Sequence, residues 1–371
     1  MSDHGLIAHE WIESVGGAEK VLDSFAAIYP QADIFTLWND DKNRYARNRV
    51  RESVLARTPL RGRKAMSLPF MPVVWRRLAN HDYDWLLVSS HLFAHHTRLR
   101  GLPETRKFVY AHSPARYLWA PECDERGDKA SIRAVAPLLR ALDEHRAGSH
   151  VNLAANSEFV RERIRRSWGL EATVIHPPVD VDAIQDVFRW RYALLPDEAI
   201  VRNSLPDTYV LGASRLVSYK RLDVVIRAAH QAGVPSVIAG SGPDLPRLRA
   251  LADELGAHTT FIPSPSTALL RAVMQDALAL VMPGVEDFGI VPVEAQATGT
   301  PVIVNETGGA RETITADASG VALSDFDDTR AFRAALDTVS SFDPRVVRAS
   351  VHRFRTVEFE RGIRSWMSQA A

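Results

Sequence analysis

Short, uninterrupted apolar runs alternate with helix-patterned segments along this 371-residue chain, and that alternation restricts its fold more than any other feature. A strand covered on both faces has no polar side to show, so it reads as a continuous Val/Ile/Leu/Ala run. Helices between such strands make the sheet parallel. In the first half the runs are 6–9, 32–37, 85–89, 107–111, 151–155 and 173–176. Gly16-Gly17 and a helical pattern over 18–27 follow the first, and a helix from Ser157 as N-cap to Gly169 as C′ residue follows the run at 151–155. In the second half the runs are 209–213, 236–239, 260–262, 279–282 and 302–304, separated by helical segments such as 222–232 and 266–276. Pro177-Pro178 stiffens the chain between the two series. The pattern predicts an α/β protein of two domains, 1–177 and 178–371, with the last helix a candidate to pack back on the first domain.

Length and an apolar content of 46% are enough for two cores. No apolar stretch reaches the roughly 18 residues that span a bilayer, and Met1-Ser-Asp-His-Gly5 carries no basic segment ahead of an apolar one. The expectation is a cytoplasmic protein. The single cysteine, Cys123, leaves no internal disulfide and no cysteine-rich metal site. Net charge is zero, which points away from nucleic acid as a partner.

In open α/β sheets, ligands bind beyond the carboxyl ends of the strands. Arg215, Gly240-Ser-Gly242, Glu286 and Glu306 to Gly309 all follow apolar runs. Arg215 and Lys220 offer a fork and a point charge to a diphosphate, although cations in a loop are also ordinary solvated groups. Glu286 and Glu294 flank Asp287-Phe-Gly-Ile-Val-Pro, where a helix is expected over about 291–298 with Gly299 at its end. The free N–H groups at such a helix start favour phosphate, and carboxylates beside it accept hydrogen bonds from hydroxyls. An acid in the first turn also gains simply from the helix dipole. Two cations and two acids so placed suit a molecule with a diphosphate at one end and hydroxyls around it.

The ordered array Gly212-Ala-Ser-Arg215, Lys220-Arg-Leu-Asp, Ala239-Gly-Ser-Gly-Pro, Glu286-Asp-Phe-Gly-Ile-Val-Pro-Val-Glu294, Gly299-Thr-Pro and Gly308-Gly-Ala-Arg-Glu312 resembles the retaining glycosyltransferases of family 4. That resemblance implies the GT-B fold, two Rossmann-like domains with parallel sheets facing across a cleft. It implies donor-diphosphate binding by Arg215 and Lys220, a sugar contact from Glu286 and a ribose contact from Glu294. Backbone groups of Phe288, Gly289 and Ile290 would hold sugar hydroxyls or phosphate, and Gly16, Gly17, Gly240 and Gly242 join the donor-binding set. Tyr110-Ala-His112-Ser-Pro-Ala-Arg116-Tyr-Leu-Trp119 resembles a segment of mannosyltransferase-like members, in which the residue matching His112 contacts the sugar near the acceptor. Arg116 either holds an acceptor phosphate or makes a salt bridge. Gly284 and Gln296 depart from the family's usual Ser/Ala and Met. The implied activity is metal-independent transfer of a hexose from a nucleotide sugar, GDP-mannose ahead of UDP-sugars, to a glycan, lipid-linked or small-molecule acceptor. A phosphorylase, a nucleotide-sugar epimerase and a non-catalytic sensor are the alternatives.

Asp82-Tyr-Asp84, Asp180-Val-Asp182 and Asp325-Phe-Asp327-Asp328 match the Asp-x-Asp of metal-dependent transferases only formally, and Asp328 reads as a helix start. His91 and His95 have the i, i+4 spacing of zinc ligands without the accompanying Glu. No metal is expected. Across 57–77, Arg57, Arg61, Arg63, Lys64, Arg76 and Arg77 interleave with Met66, Leu68, Phe70, Met71, Val74 and Trp75. This pattern suits either peripheral contact with an anionic membrane, at its inner face, or a solvated cover over the core.

Overall fold

The structure, a computed structural model, describes residues 4–14, 16–78, 82–120, 130–148 and 152–369; Cys123 lies outside them. The chain divides into two compact units, one of residues 1–178 and 356–371 and the other of 179–355. Each is built on a fully parallel sheet, as the continuous apolar runs require.

The first unit carries β1 (Gly5–His9), β2 (Asp33–Thr36), β3 (Val50–Glu52), β4 (Trp85–Ser90), β5 (Lys107–Ala111), β6 (Asn152–Ala155) and β7 (Thr173–Val174), in the order β3-β2-β1-β4-β5-β6-β7. Every residue of β1, β4 and β5 is buried. One face of the sheet packs on Trp38, Trp75, Phe93, Leu118 and Trp168. The other packs on the helix Gly17–Ile28 and on the chain's last helix, Thr356–Gln369, through Phe25, Phe108, Tyr110, Phe359, Ile363, Trp366 and Met367. Ser157 caps the helix Glu158–Trp168 by accepting from the Val160 N–H, and Gly169 ends it at φ 66°, a conformation that suits glycine.

The second unit carries β8 (Val210–Ala213), β9 (Ser236–Ala239), β10 (Thr259–Ile262), β11 (Ala279–Met282), β12 (Val302–Asn305) and β13 (Gly320–Leu323), in the order β10-β9-β8-β11-β12-β13. Its two faces are covered by separate apolar clusters, one around Val225, Ile226 and Phe332 and one around Tyr209, Leu269 and Met274. Asp328 accepts from the Arg330 and Ala331 N–H groups and so starts the helix Thr329–Ser340.

Each sheet has one place where the chain's progress reverses. After β1 the chain runs outward through β2 and β3, then returns to lay β4 on the other side of β1; β8 and β11 have the same relation. Loops leaving neighbouring strands on opposite sides of such a point diverge, and the crevice between them is where ligands lodge in sheets of this kind.

Candidate active site

In the second unit the reversal point lies between β8 and β11, and the predicted cations and acids leave from those two strands. Lys220 ends a short turn after β8, and its Nζ makes an ion pair with Glu286 Oε1 from the loop after β11. Both side chains are largely buried, 15% and 11% exposed. Arg215 Nη2 donates to the Tyr219 hydroxyl at 2.9 Å, and Lys220 Nζ lies 5.3 Å from the centre of the Tyr219 ring. Arg221 follows in the left-handed region (φ 54°) as the residue before the helix Leu222–Ala232. A non-glycine residue pays about 1–2 kcal/mol for that conformation, and such residues gather at functional turns.

The glycines explain how these loops come so close. A Cβ on Gly284 would lie 2.9 Å from the Tyr219 carbonyl oxygen and 3.1 Å from Lys220 Cα, so a bare α-carbon lets the Glu286 loop reach the Lys220 turn. A Cβ on Gly240 would lie 1.9 Å from the Ser214 carbonyl oxygen, and one on Gly242 2.2 Å from that of Leu216. Both glycines therefore pack on the backbone that carries Arg215. On the other side, Gly309 N–H donates to the Glu286 carbonyl at 2.7 Å, and a Cβ there would meet the Asp287 oxygen at 2.0 Å.

Gly289, at φ 107°, precedes the helix Ile290–Thr298 with no side-chain cap, so the first-turn N–H groups of this helix are not taken up by a capping side chain. Phe288 turns its ring into a core of Val179, Val293, Val351 and Phe354, which leaves its backbone as the part able to meet a ligand. Glu294 is the fifth helical residue, not a first-turn acid, so the dipole account of it does not hold.

The first unit has its own cluster at the reversal point between β1 and β4. His112, just past β5, shares Ser89 Oγ through Nε2 at 2.8 Å, and Ser89 Oγ lies 3.0 Å from His9 Nδ1. Burial pushes His9 down to about pH 3, with Glu10 opposing the shift and His91 and His112 adding to it. The fully buried Glu10 accepts from the Leu92 and Ala94 N–H groups, both at 2.9 Å, and faces His91 Nδ1 at 3.3 Å. Gly16 and Gly17 open the first helix. The Glu19 carboxylate folds back against Gly16, so close that a Cβ would meet it at 1.9 Å, and burial raises its pKa. Arg116 is half-buried at the start of the helix Arg116–Trp119.

Trp119, at the other end of that helix, donates its indole N–H to Asp143 at 2.8 Å, as does Trp168; His95 and His96 Nε2 lie 3.0 and 2.9 Å from the other carboxylate oxygen. Burial alone would raise the Asp143 carboxyl, but His95 and His96, through charge and hydrogen bonding, hold it well below the ordinary range. Burial lowers His96 to about 3, and Arg146 Nη1 donates to its Nδ1 at 3.1 Å. His95, His96 and Asp143 are the group among the described residues with metal-ligand atoms close together. With both carboxylate oxygens already receiving N–H groups and an arginine on the far side of one imidazole, they form a hydrogen-bond hub. Nothing in the sequence spacing singles out Asp143 or Ser89; His9 has the one legible signal, a strand-end position like that of His112.

The basic stretch at 57–77 is split. Leu68, Met71 and Trp75 are core, while Met66, Phe70 and Val73 are 56%, 52% and 47% exposed. Arg61 pairs with Asp40 and Glu52, and Lys64 with Glu13. No helix among the described residues is long and apolar enough to cross a membrane.

Models of two families match the chain: Glycosyltransferase Family 4 over residues 15–183 and Glycosyl transferases group 1 over 197–348. A GDP-mannose-dependent alpha-(1-6)-phosphatidylinositol monomannoside mannosyltransferase of Mycobacterium tuberculosis is 32% identical over 327 residues, 81% of this chain and 75% of its own. A D-inositol 3-phosphate glycosyltransferase of Mycobacterium sp. strain JLS is 32% identical over 231 residues, 57% of this chain and 50% of its own, so the chain spans about half the length of that relative. Among solved structures, Anabaena HepE in complex with UDP-glucose superposes with a TM-score of 0.69 at 17% identity, covering 98% of this chain and 99% of the other; at that identity the likeness is one of fold. Two parallel-sheet units, a cation and an acid paired at a sheet's reversal point and a relative matched over three-quarters of its length agree: the chain belongs to glycosyltransferase family 4 and has the GT-B fold.

Proposed function

We propose that the protein transfers a hexose from a nucleotide-diphosphate sugar to an acceptor hydroxyl with retention of the anomeric configuration and without a metal. The observation that carries this reading is the Lys220–Glu286 pair at the β8/β11 reversal point, beside Arg215 and the uncapped start of the helix Ile290–Thr298. Lysine has three N–H donors, so Lys220 can hold Glu286 with one and a phosphate oxygen with another. Glu286, fixed in place through Oε1, keeps a second oxygen to accept from a sugar hydroxyl. Arg215 grips the same diphosphate, the helix start receives phosphate or sugar oxygens, and Glu294 meets the ribose.

In the reaction the bond from the anomeric carbon to the diphosphate oxygen breaks, and a bond to the acceptor oxygen forms on the same face. The acceptor proton passes to the departing diphosphate, so no side-chain base is needed. Fixed cations stabilise the charge that develops on the leaving group more than they stabilise the bound donor. His112 contributes a sugar contact in the first unit, and Arg116 is the group there suited to an acceptor phosphate. GDP-mannose is the favoured donor, supported by the GDP-mannose dependence of the M. tuberculosis relative. The acceptor is a glycan, a lipid-linked saccharide or a small molecule, and the exposed Met66, Phe70 and Val73 beside Arg63, Lys64, Arg76 and Arg77 suit peripheral contact with an anionic bilayer at its cytoplasmic face.

Calorimetric titration with GDP and UDP, followed by NMR of the product anomer, tests the reading. Tighter binding of GDP and a retained product are expected. Negligible binding of both nucleotides, or an inverted product, overturns it.

A further inference from the structure

We propose that a buried relay from His9 through Ser89 fixes the proton of His112 on Nδ1, which makes His9 and Ser89 positioning residues for the sugar contact assigned to His112. The inference rests on that assignment only for its purpose, not for its geometry.

Ser89 Oγ is shared by two imidazole nitrogens, His9 Nδ1 at 3.0 Å and His112 Nε2 at 2.8 Å. A hydroxyl has one proton to give, so with both rings neutral it donates to one nitrogen and accepts from the other. The two polarities place the His112 proton on different ring nitrogens. His9 decides between them. It is fully buried, and its Nε2 finds no partner among the described residues. If Ser89 donated to His9 Nδ1, a neutral His9 would carry its proton on Nε2, a buried N–H with no acceptor. Buried donors left without acceptors are rarer than buried acceptors left without donors. Burial keeps His9 neutral, with its pKa lowered to about 3. His9 therefore donates from Nδ1 to Ser89, Ser89 donates to His112 Nε2, and a neutral His112 holds its own proton on Nδ1.

The arrangement turns His112 into a hydrogen-bond donor of fixed sense, suited to an oxygen of the transferred sugar. His91 stands apart from the relay: its ring centre is 5.8 Å from that of His9 and 6.2 Å from that of His112, and its Nδ1 faces Glu10. His9 and Ser89 lie at the carboxyl ends of β1 and β4, and His112 follows the last residue of the neighbouring β5 with its N–H donating to the Ser90 carbonyl at 2.7 Å, so the relay is tied to the sheet.

The test is nitrogen-15 NMR of the full chain labelled at histidine, with the His112 signals assigned from His112→Gln. The expected wild-type spectrum shows the Nδ1–H form of His112 alone. Ser89→Ala, a small change in a buried site, is expected to give a mixture of tautomers and to lower kcat/KM about tenfold. His9→Asn, whose amide N–H can stand in for Nδ1–H, is expected to keep the wild-type tautomer. An Nε2–H tautomer in the wild type, or a tautomer unmoved by Ser89→Ala, overturns the relay. If the tautomers behave as stated and His112→Gln still turns over donor at the wild-type rate, the relay is upheld and the sugar contact assigned to His112 is what falls.

Discussion

Replacing Lys220 by Met probes its ion pair with Glu286 as a clasp and as a catalytic charge at once. Removing one member of a buried pair costs about 3–5 kcal/mol, because the other charge is left uncompensated. The 15% and 11% exposure of these side chains places the loss near the lower end, about 3 kcal/mol. In the proposed reaction the same cation faces charge growing on the diphosphate. Loss of one such fixed group raises the barrier by about 2.7–4 kcal/mol, or about a hundred- to a thousandfold in kcat. Adding Glu286→Gln separates the two effects. The double variant has no unpaired charge, so its stability should return to within about 1 kcal/mol of the parent, while turnover stays about a hundredfold low or worse. Urea unfolding followed by circular dichroism reads the first quantity, and single-turnover transfer from the nucleotide sugar reads the second. Recovery of turnover in the double variant would refute the catalytic role and leave Lys220 as a clasp only.

Three further outcomes are expected. His9 and His96 both have native pKa values near 3 against an ordinary 6.5, so below about pH 6 the unfolded chain binds protons that the native chain does not. Native stability should then fall with falling pH, by about 2.7 kcal/mol per unit while both contribute; calorimetric melts between pH 7 and 5 that show no such slope would contradict the buried neutral state. Asp143→Asn turns an amide group toward N–H donors and removes the charge they face, which should cost about 3 kcal/mol and lower Tm by roughly 6–12 °C; a change under about 2 °C would mean that the hub contributes little. Gly284→Ala pushes a methyl group against the Tyr219–Lys220 backbone, so it should cost about 1–3 kcal/mol of stability and raise the KM for donor; an unchanged melting temperature and KM would show that the turn can retreat without cost.

How much of this was legible in the sequence depended on burial. Fully covered strands such as Lys107–Ala111 and Ser236–Ala239 stand out because no charged residue follows their first position. The edge strand Val50–Glu52 escapes, since Arg51 and Glu52 are exposed and three residues make no pattern. The helix Ala130–Ala147 escapes for another reason: Pro137 lies inside it and reads as a breaker. Arg215, Lys220 and Glu286 were visible because strand ends can be read locally. Their pairing was not, because Lys220 and Glu286 lie 66 residues apart and meet only through the strand order β8-β11. The same holds for His9 and Ser89, 80 residues apart. Glycines at 240, 242 and 309 read as ligand loops, yet their bare α-carbons are needed first for backbone to pass backbone.

The last helix, Thr356–Gln369, supplies Phe359, Ile363, Trp366 and Met367 to a core shared with Phe25, Phe108 and Tyr110, which are made more than two hundred residues earlier. During synthesis the first unit therefore waits with that face only partly covered, by the helix Gly17–Ile28, until the fourteen-residue helix Thr356–Gln369 leaves the ribosome, whereas the unit of residues 179–355 emerges earlier and can fold first. The unit that starts to emerge before the other is completed after it, and any fragment cut after Pro178 inherits a partly unsealed sheet.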